Sequence, residues 1–446
     1  MSWEMLFSYH PTALYQLAAF PFAGLCHYLW TSQYLSINAR YTCLLVSGFF
    51  LACSAMRCYA LLVLISAFGS VAVIHSAGHQ RAHKWAFSFQ MSWQTLCHLG
   101  LHYKEYYLEE DVCFRFSMAL SVLMLMTQKV TSLALDIQER KVRAGSSFTS
   151  QGGPLRRYLL RALPFYSYLL SFPTLLGGPL CSFNRFQTWV KNPGALYPRY
   201  SLWVAVQKGL GALALALLKN IVRGYTSPLD EVISCRHLRC ISALWTSALF
   251  FRLAYYSHWM LDESVFIAAG LGLELGHDQQ AGTADGVLLD TDIWALETTN
   301  RISVFTRSWN KSTAQWLRRL IFQRCRSHPL LATFAFSAWW HGLHPGQIFG
   351  FLCWAAVVEA DYHIHHFSQS LAKSQPWKMV YQALTWCQTQ LIVAYIMLAI
   401  ETRSLAMLWG LCSSYNSFFP LAYVILFLLL AKRRASSHVA PQTPRS

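Results

Sequence analysis

The chain alternates long apolar runs with short polar connections. Runs of near-spanning length occupy roughly residues 13 to 30, 41 to 56, 58 to 75, 86 to 102, 116 to 136, 158 to 180, 201 to 218, 241 to 258, 330 to 344, 347 to 362, 383 to 400 and 405 to 431, judged against the roughly 20 residues a helix needs to cross a bilayer. The expected fold class is therefore all-α: a polytopic membrane protein of about ten to twelve membrane segments. Several runs are short or carry Pro164, Pro173, Gly177, Gly178 and Pro179, and broken segments of this kind are re-entrant or line a cavity. No internal repeat is visible, which removes support for an inverted-repeat transporter. Residues 1 to 434 read as a single integral-membrane domain, and residues 435 to 446, rich in Ser, Pro and Arg, as a disordered tail.

Composition agrees with this pattern. Hydrophobic residues make up 54% of the 446 residues and charged ones only 13%, with a mean hydropathy of +0.30, which is too apolar for a soluble chain of this length. The net charge of +16 would suit a nucleic-acid partner if it lay on one face of a soluble domain, but the basic residues cluster between apolar runs, so nucleic acid is excluded. They set topology instead. Arg140, Lys141, Arg143, Arg156, Arg157 and Arg161 form one basic loop, Arg301, Arg307, Lys311, Arg318, Arg319, Arg324 and Arg326 a second, and Lys432, Arg433 and Arg434 a third. The positive-inside rule puts all three in the cytosol. The four runs between the second loop and the tail, 330 to 344, 347 to 362, 383 to 400 and 405 to 431, satisfy the even number of crossings this requires. Among the 13 cysteines there is no C-x-x-C pair, so buried thiols are expected rather than a zinc site or disulfide framework. The amino terminus, MSWEMLFSYHP, lacks the basic n-region of a signal peptide, so the first apolar run is expected to stay as an anchor.

Candidate chemistry begins with His341, in the apolar stretch FAFSAWWHGLHPGQIFGFLCW from Phe334 to Trp354. An imidazole deep in such a stretch is either a structural histidine bonded across helices or a functional one. With Pro329 tolerated as a first-turn residue, His341 lies about 18 Å along the helix in a core of about 30 Å, past the middle and away from the cytosol. Phe334, two turns earlier, projects from the same face. The second polar site is Arg307 to Leu317. Read as one helix, it puts Arg307, Asn310 and Ala314 on one face and Trp309, Thr313 and Trp316 on another. This is either an amphipathic helix at the membrane surface or a site where Arg307, Lys311, Arg318 and Arg319 attract a polyanion and Asn310 offers an amide. His363, His365, His366, Glu359 and Asp361 include metal-ligand types, but on a helix His365 and His366 point differently, and no metal is expected. Tyr255, Tyr256, Ser257, His258, Asp262 and Glu263 read as a solvated helix end, and Leu261 to Asp292 as a solvated loop. No G-x-S-x-G elbow, P-loop or G-x-G-x-x-G after a strand is present.

Taken together, W-N-x-S-T-x-x-W-L around Asn310 and S-A-W-W-H-G-L-H-P-G around His341, some thirty residues later, resemble the membrane-bound O-acyltransferase family, whose signature residues are an asparagine and a deeper histidine. The segments Phe87 to Leu108 and Leu175 to Gln187 resemble it too. Phospholipid-acylating members tend to carry tyrosine after the P-G, where this chain has Gln347. The resemblance implies helices around an internal acyl tunnel in the endoplasmic reticulum membrane, in contact with membrane lipids. It implies transfer of a medium-chain acyl group, octanoyl above all, from octanoyl-CoA to a serine hydroxyl near the amino terminus of proghrelin, the ghrelin precursor. It implies acyl-CoA as a co-substrate and no permanently bound cofactor. His341 would take the serine proton, and Asn310 would either stabilise the oxyanion or position coenzyme A. Arg307, Trp309 and Lys311 are the donor-binding candidates at the cytosolic end, and Phe334, Trp340 and Trp354 the hypothesised tunnel walls. Transfer is expected to be direct, because neither Ser337 nor a cysteine pairs with His341. A lipid or sterol acyltransferase of the same family, or a polytopic transporter using His341, are the alternatives.

Overall fold

The computed structural model describes residues 11–32, 34–78, 80–142, 153–191, 198–226, 231–232, 239–271, 292–371 and 375–439. They are helical, with no strand among the described residues. In chain order the helices are α1 (Pro11–Thr31), α2 (Ile37–Met56), α3 (Ala60–Ser76), α4 (Ala82–His102), α5 (Phe114–Gln138), α6 (Pro154–Leu170), α7 (Phe183–Lys191), α8 (Pro198–Arg223), α9 (Arg239–Ala268), α10 (Ile293–Thr298), α11 (Ile302–Ser308), α12 (Lys311–Leu317), α13 (Pro329–His341), α14 (Pro345–Leu371), α15 (Gln375–Glu401), α16 (Leu405–Ser413) and α17 (Phe418–Val439). Five segments among the described residues are long and apolar enough to cross a membrane: Ile37–Ser76, Phe114–Gln138, Ser201–Arg223, Gln375–Glu401 and Tyr415–Lys432. The described cysteines are free thiols apart from Cys240, which is disulfide-bonded. Helix α17 runs through Val439, into the stretch expected to be a disordered tail, whose remainder lies outside the described residues.

The contacts divide the chain into two compact units. The first comprises Met1–Ala216 and Tyr255–Asp290. Here α2 and α6 come so close at Gly48 that any side chain there would meet the Leu170 carbonyl. Helix α4 carries Gln90, Gln94 and His98 at four-residue spacing, hence on one face. That face is buried and hydrogen-bonded: Ser66 of α3 donates to Gln90 Oε1 (3.0 Å), Gln90 Nε2 donates to Ser70, and Thr127 of α5 donates to Gln94 Oε1 (2.7 Å). Side-chain hydrogen bonds of this kind hold helices together where the hydrophobic effect between them is weak. Lys129 of α5 is buried at the end of α6 and donates to the Thr174 carbonyl (2.7 Å) and hydroxyl (2.8 Å).

The stretch from Tyr255 to Glu263 is not the expected solvated helix end. Helix α9 continues to Ala268, so these residues lie inside it, and Tyr256, Ser257, Asp262 and Glu263 are buried. Gln16 of α1 reaches both Nδ1 of His258 (3.2 Å) and the Asp262 carboxylate. Lys208 of α8 pairs with Glu263 at 2.8 Å. Gly177 leaves the space that Asp262 fills, since a side chain there would run into that carboxylate. Burying these charges is tolerable because each has a partner. The expected solvated loop is likewise helical as far as Ala268, and residues 272–291 lie outside the described part.

The second unit comprises Leu217–Ala254 and Thr291–Ser446. Its short helix α10 starts at Asp292, whose side chain accepts from Ala295 N (3.0 Å). The fully buried Arg252 of α9 holds it, standing 3.3 Å from Glu297 Oε2 and donating to Gln390 of α15. Gln390 and Trp386 donate in turn to the Leu296 and Glu297 carbonyls at 3.2 and 2.7 Å. Helix α13 begins at Pro329, as expected of a first-turn proline. It ends at His341, because Gly342 adopts φ 120° and its N–H returns to the Ala338 and Trp339 carbonyls. At 13 residues it is about 20 Å long, short of a bilayer core. Helix α14 starts four residues later at Pro345 and folds back on α13, since Phe334 meets Trp354 across the turn. Gln347 Oε1 accepts the His344 N–H (3.2 Å), closing that turn in the manner of a capping box. Gly346 lets the start of α14 press against the Ala399 and Thr402 carbonyls at the end of α15, where a side chain would not fit.

Candidate active site

Asn310 and His341 both lie in the second unit, each at a helix end. The segment read as one amphipathic helix is two, α11 and α12, broken at Asn310. The reason is local. Asn310 takes an extended backbone, φ −150° and ψ 91°, and its Oδ1 accepts the Thr313 N–H at 2.9 Å. Asparagine competes with helix continuation in this way and is favoured at an N-cap. Ser312 Oγ also donates to Oδ1 (3.4 Å). The acceptor end of the amide is thus committed to α12, and the chemically distinctive end is the Nδ2 donor. The break also divides the predicted stripe of Trp309, Thr313 and Trp316. Trp309 stacks on Phe305 of α11 (5.6 Å, 18°), whereas Trp316 of α12 is buried against Phe336 (5.8 Å) and Trp340 (5.1 Å) of α13.

His341 closes α13 and is half-buried among aromatic rings. Its imidazole lies edge-on to Trp340 (4.9 Å, 74°) and over Phe351 of α14 (4.8 Å, 36°). From Phe351 a stacked column continues to Trp354 (6.5 Å, 13°) and on to Phe334 (6.2 Å, 24°). The three hypothesised walls Phe334, Trp340 and Trp354 are therefore brought together with His341, and all are buried. Trp354 Nε1 donates to the Thr306 hydroxyl of α11 (2.7 Å). The two helices flanking Asn310 are thus tied to the rings around His341, α12 through Trp316 and α11 through Thr306. One turn before His341, the Ser337 hydroxyl donates to the Thr333 carbonyl (2.9 Å).

The basic cluster divides. Arg307 is exposed and donates to the Tyr362 hydroxyl (2.9 Å), Lys311 opens α12, and Arg318, Arg324 and Arg326 are exposed. Arg301 belongs elsewhere: it pairs with the buried Asp361 at 3.3 Å. Asp361 also accepts the Ser303 N–H (3.2 Å), capping α11, and the Tyr423 hydroxyl of α17 (3.1 Å). The possible metal cluster is accordingly dispersed. Asp361 serves α11, His363 faces Glu359 at 3.4 Å, and His365 Nδ1 meets the Tyr381 hydroxyl at 3.3 Å. Sequence reading missed Thr306, Trp316 and Phe351 as neighbours of the site. Phe351 carried a signal, standing one turn before Trp354 on the same helix face. Thr306 carried none, because its partner is 48 residues away.

The chain matches the model of the membrane-bound O-acyltransferase family over residues 78–399. It is 53% identical over 434 residues to the membrane-bound ghrelin O-acyltransferase of Rattus norvegicus and 52% identical over 434 residues to that of Mus musculus. Each alignment covers 97% of this chain and 99% of the relative. To the membrane-bound glycerophospholipid O-acyltransferase 2 of Homo sapiens it is 26% identical over 458 residues, covering 96% of this chain and 86% of the relative. With the family match enclosing both Asn310 and His341, the chain belongs to the membrane-bound O-acyltransferase family and is an O-acyltransferase of the membrane.

Proposed function

We propose that this enzyme transfers an octanoyl group from octanoyl-CoA to a serine hydroxyl near the amino terminus of the ghrelin precursor. One observation carries the choice of acceptor: identity of 52–53% over nearly the whole chain to ghrelin O-acyltransferases, against 26% to a glycerophospholipid O-acyltransferase. Residues 1–434 act as one integral-membrane acyltransferase domain with ten to twelve membrane segments in the endoplasmic reticulum. The Asn310 loop faces the cytosol, where acyl-CoA is, and His341 lies toward the lumen, where the peptide is. The exposed Arg307, Arg318 and Arg324 support the cytosolic assignment.

In the reaction His341 removes the serine proton as the hydroxyl oxygen attacks the thioester carbonyl. The tetrahedral intermediate carries its charge on the former carbonyl oxygen, which a preorganised donor stabilises by about 3 kcal/mol, and the Asn310 Nδ2 either is that donor or positions coenzyme A. Collapse breaks the carbon–sulfur bond, and the departing thiolate takes the proton back from His341, leaving acyl ester and coenzyme A. Commitment of the Ser337 hydroxyl to a backbone carbonyl supports direct transfer without an acyl-enzyme. Arg307, Trp309 and Lys311 meet the donor, and Phe334, Trp340 and Trp354 line the acyl tunnel. The test is to give microsomes containing the enzyme octanoyl-CoA with either proghrelin peptide or lysophospholipid. Acylated peptide is expected; acylated lipid in its place would reassign the enzyme to lipid acylation.

A further inference from the structure

Trp354 is held in two different ways. Its stacking on Phe334 and Phe351, at 24° and 13° to their planes, fixes the plane of the indole but not which of its edges faces α11, because a half-turn about the Cβ–Cγ bond leaves that plane nearly unchanged. That remaining freedom is removed by one hydrogen bond, from Trp354 Nε1 to Thr306 Oγ1 at 2.7 Å. The Thr306 hydroxyl is itself oriented, since its proton goes to the Ile302 carbonyl one turn back at 2.7 Å. A lone pair therefore faces the indole. In a ring column as dry as this, with Trp354 at 6% exposure, an indole N–H without a partner would turn to find another.

We propose that Thr306 sets the acyl-length limit of the enzyme by holding the Nε1 edge of the Trp354 indole toward α11 and so fixing which edge faces the acyl chain; this rests on the reading above that Trp354 lines the acyl tunnel. Thr306 is a positioning residue, since it acts through the indole. It also stands next to Arg307 and four residues before Asn310, in a helix whose amino end is capped by Asp361. The segment proposed to meet the acyl donor at its thioester thus also fixes the wall that measures the chain.

The test uses the full-length enzyme in membranes, given ghrelin-precursor peptide and an equimolar mixture of hexanoyl-, octanoyl-, decanoyl- and dodecanoyl-CoA, with the products resolved by mass. Thr306→Val keeps the branched shape and removes the acceptor. It is expected to raise the ratio of decanoyl and dodecanoyl to octanoyl product by about fivefold, the equilibrium worth of one buried hydrogen bond. Thr306→Ser, which retains the hydroxyl, is expected to keep the wild-type ratio. Trp354→Phe, which lacks the N–H, is expected to shift the ratio in the same direction, and adding Thr306→Val to it to shift it no further. A wild-type ratio in Thr306→Val, at whatever total turnover, overturns the proposal, as does a Thr306→Ser shift equal to that of Thr306→Val. If Thr306→Val yields no protein, an unchanged ratio in Trp354→Phe overturns it. Should the wild type acylate lysophospholipid and no peptide, the acceptor reading falls while the product ratio, measured on lipid, still decides the role of Thr306.

Discussion

Removing the Phe334 ring is expected to lengthen the acyl chain the enzyme accepts, and the size of the change follows from the packing. Phe334 is 8% exposed and closes one end of the ring column with its face toward Trp354 at 6.2 Å. Phe334→Ala empties a volume larger than two methylene groups. Each methylene gains about 0.8 kcal/mol on burial, so two added carbons gain about 1.6 kcal/mol. At 1.4 kcal/mol per factor of ten, decanoyl should rise about fourteenfold relative to octanoyl. In the wild type those carbons meet the ring and are refused by steric overlap rather than by weak affinity. Because loss of a packed phenyl ring costs about 3–5 kcal/mol of stability, the readout is the product ratio from a mixture of the two donors at matched protein level. Phe334→Leu, which fills part of the space, should give an intermediate ratio. If Phe334→Ala left the ratio at its wild-type value while remaining active, Phe334 would not line the tunnel and the ring column would be packing alone.

Asn310→Asp separates the two ends of the amide. It keeps an acceptor for the Thr313 N–H, so the thermal midpoint in detergent should stay close to wild type, while loss of the Nδ2 donor should lower kcat about a hundredfold. Equal loss of stability and activity would contradict that division. Asp361→Ala strands Arg301 and uncaps α11; with Asp361 2% and Arg301 24% exposed, destabilisation of about 3 kcal/mol is expected, at the low end for a broken buried pair, and thermal inactivation in detergent reads it.

What was legible in the sequence was what depends on neighbours in the chain. Pro329 marks the start of α13, and a proline at the first turn follows from backbone sterics alone. Phe334 could be placed on the face of His341 from helix periodicity, whereas Trp354 reaches that face only through the turn between α13 and α14. The break at Asn310 was hidden, because the same residues also make a plausible amphipathic helix and only the side-chain cap decides between them. Asp262 and Glu263 looked like solvated charges because Gln16 and Lys208, which permit their burial, lie far away in sequence. Arg301 was counted with the basic loop for the same reason, its carboxylate being 60 residues distant.

In this mechanism His341 carries the proton in acyl transfer. That role is tested most directly by comparing wild type with His341→Ala in microsomes at equal protein level, using octanoyl-CoA and proghrelin peptide and measuring octanoylated peptide over time. The rate is expected to fall by about 10²-fold to 10⁴-fold, the contribution of a positioned general base, while octanoyl-CoA still binds. A rate within a few-fold of wild type would contradict it and return His341 to a structural role between Trp340 and Phe351.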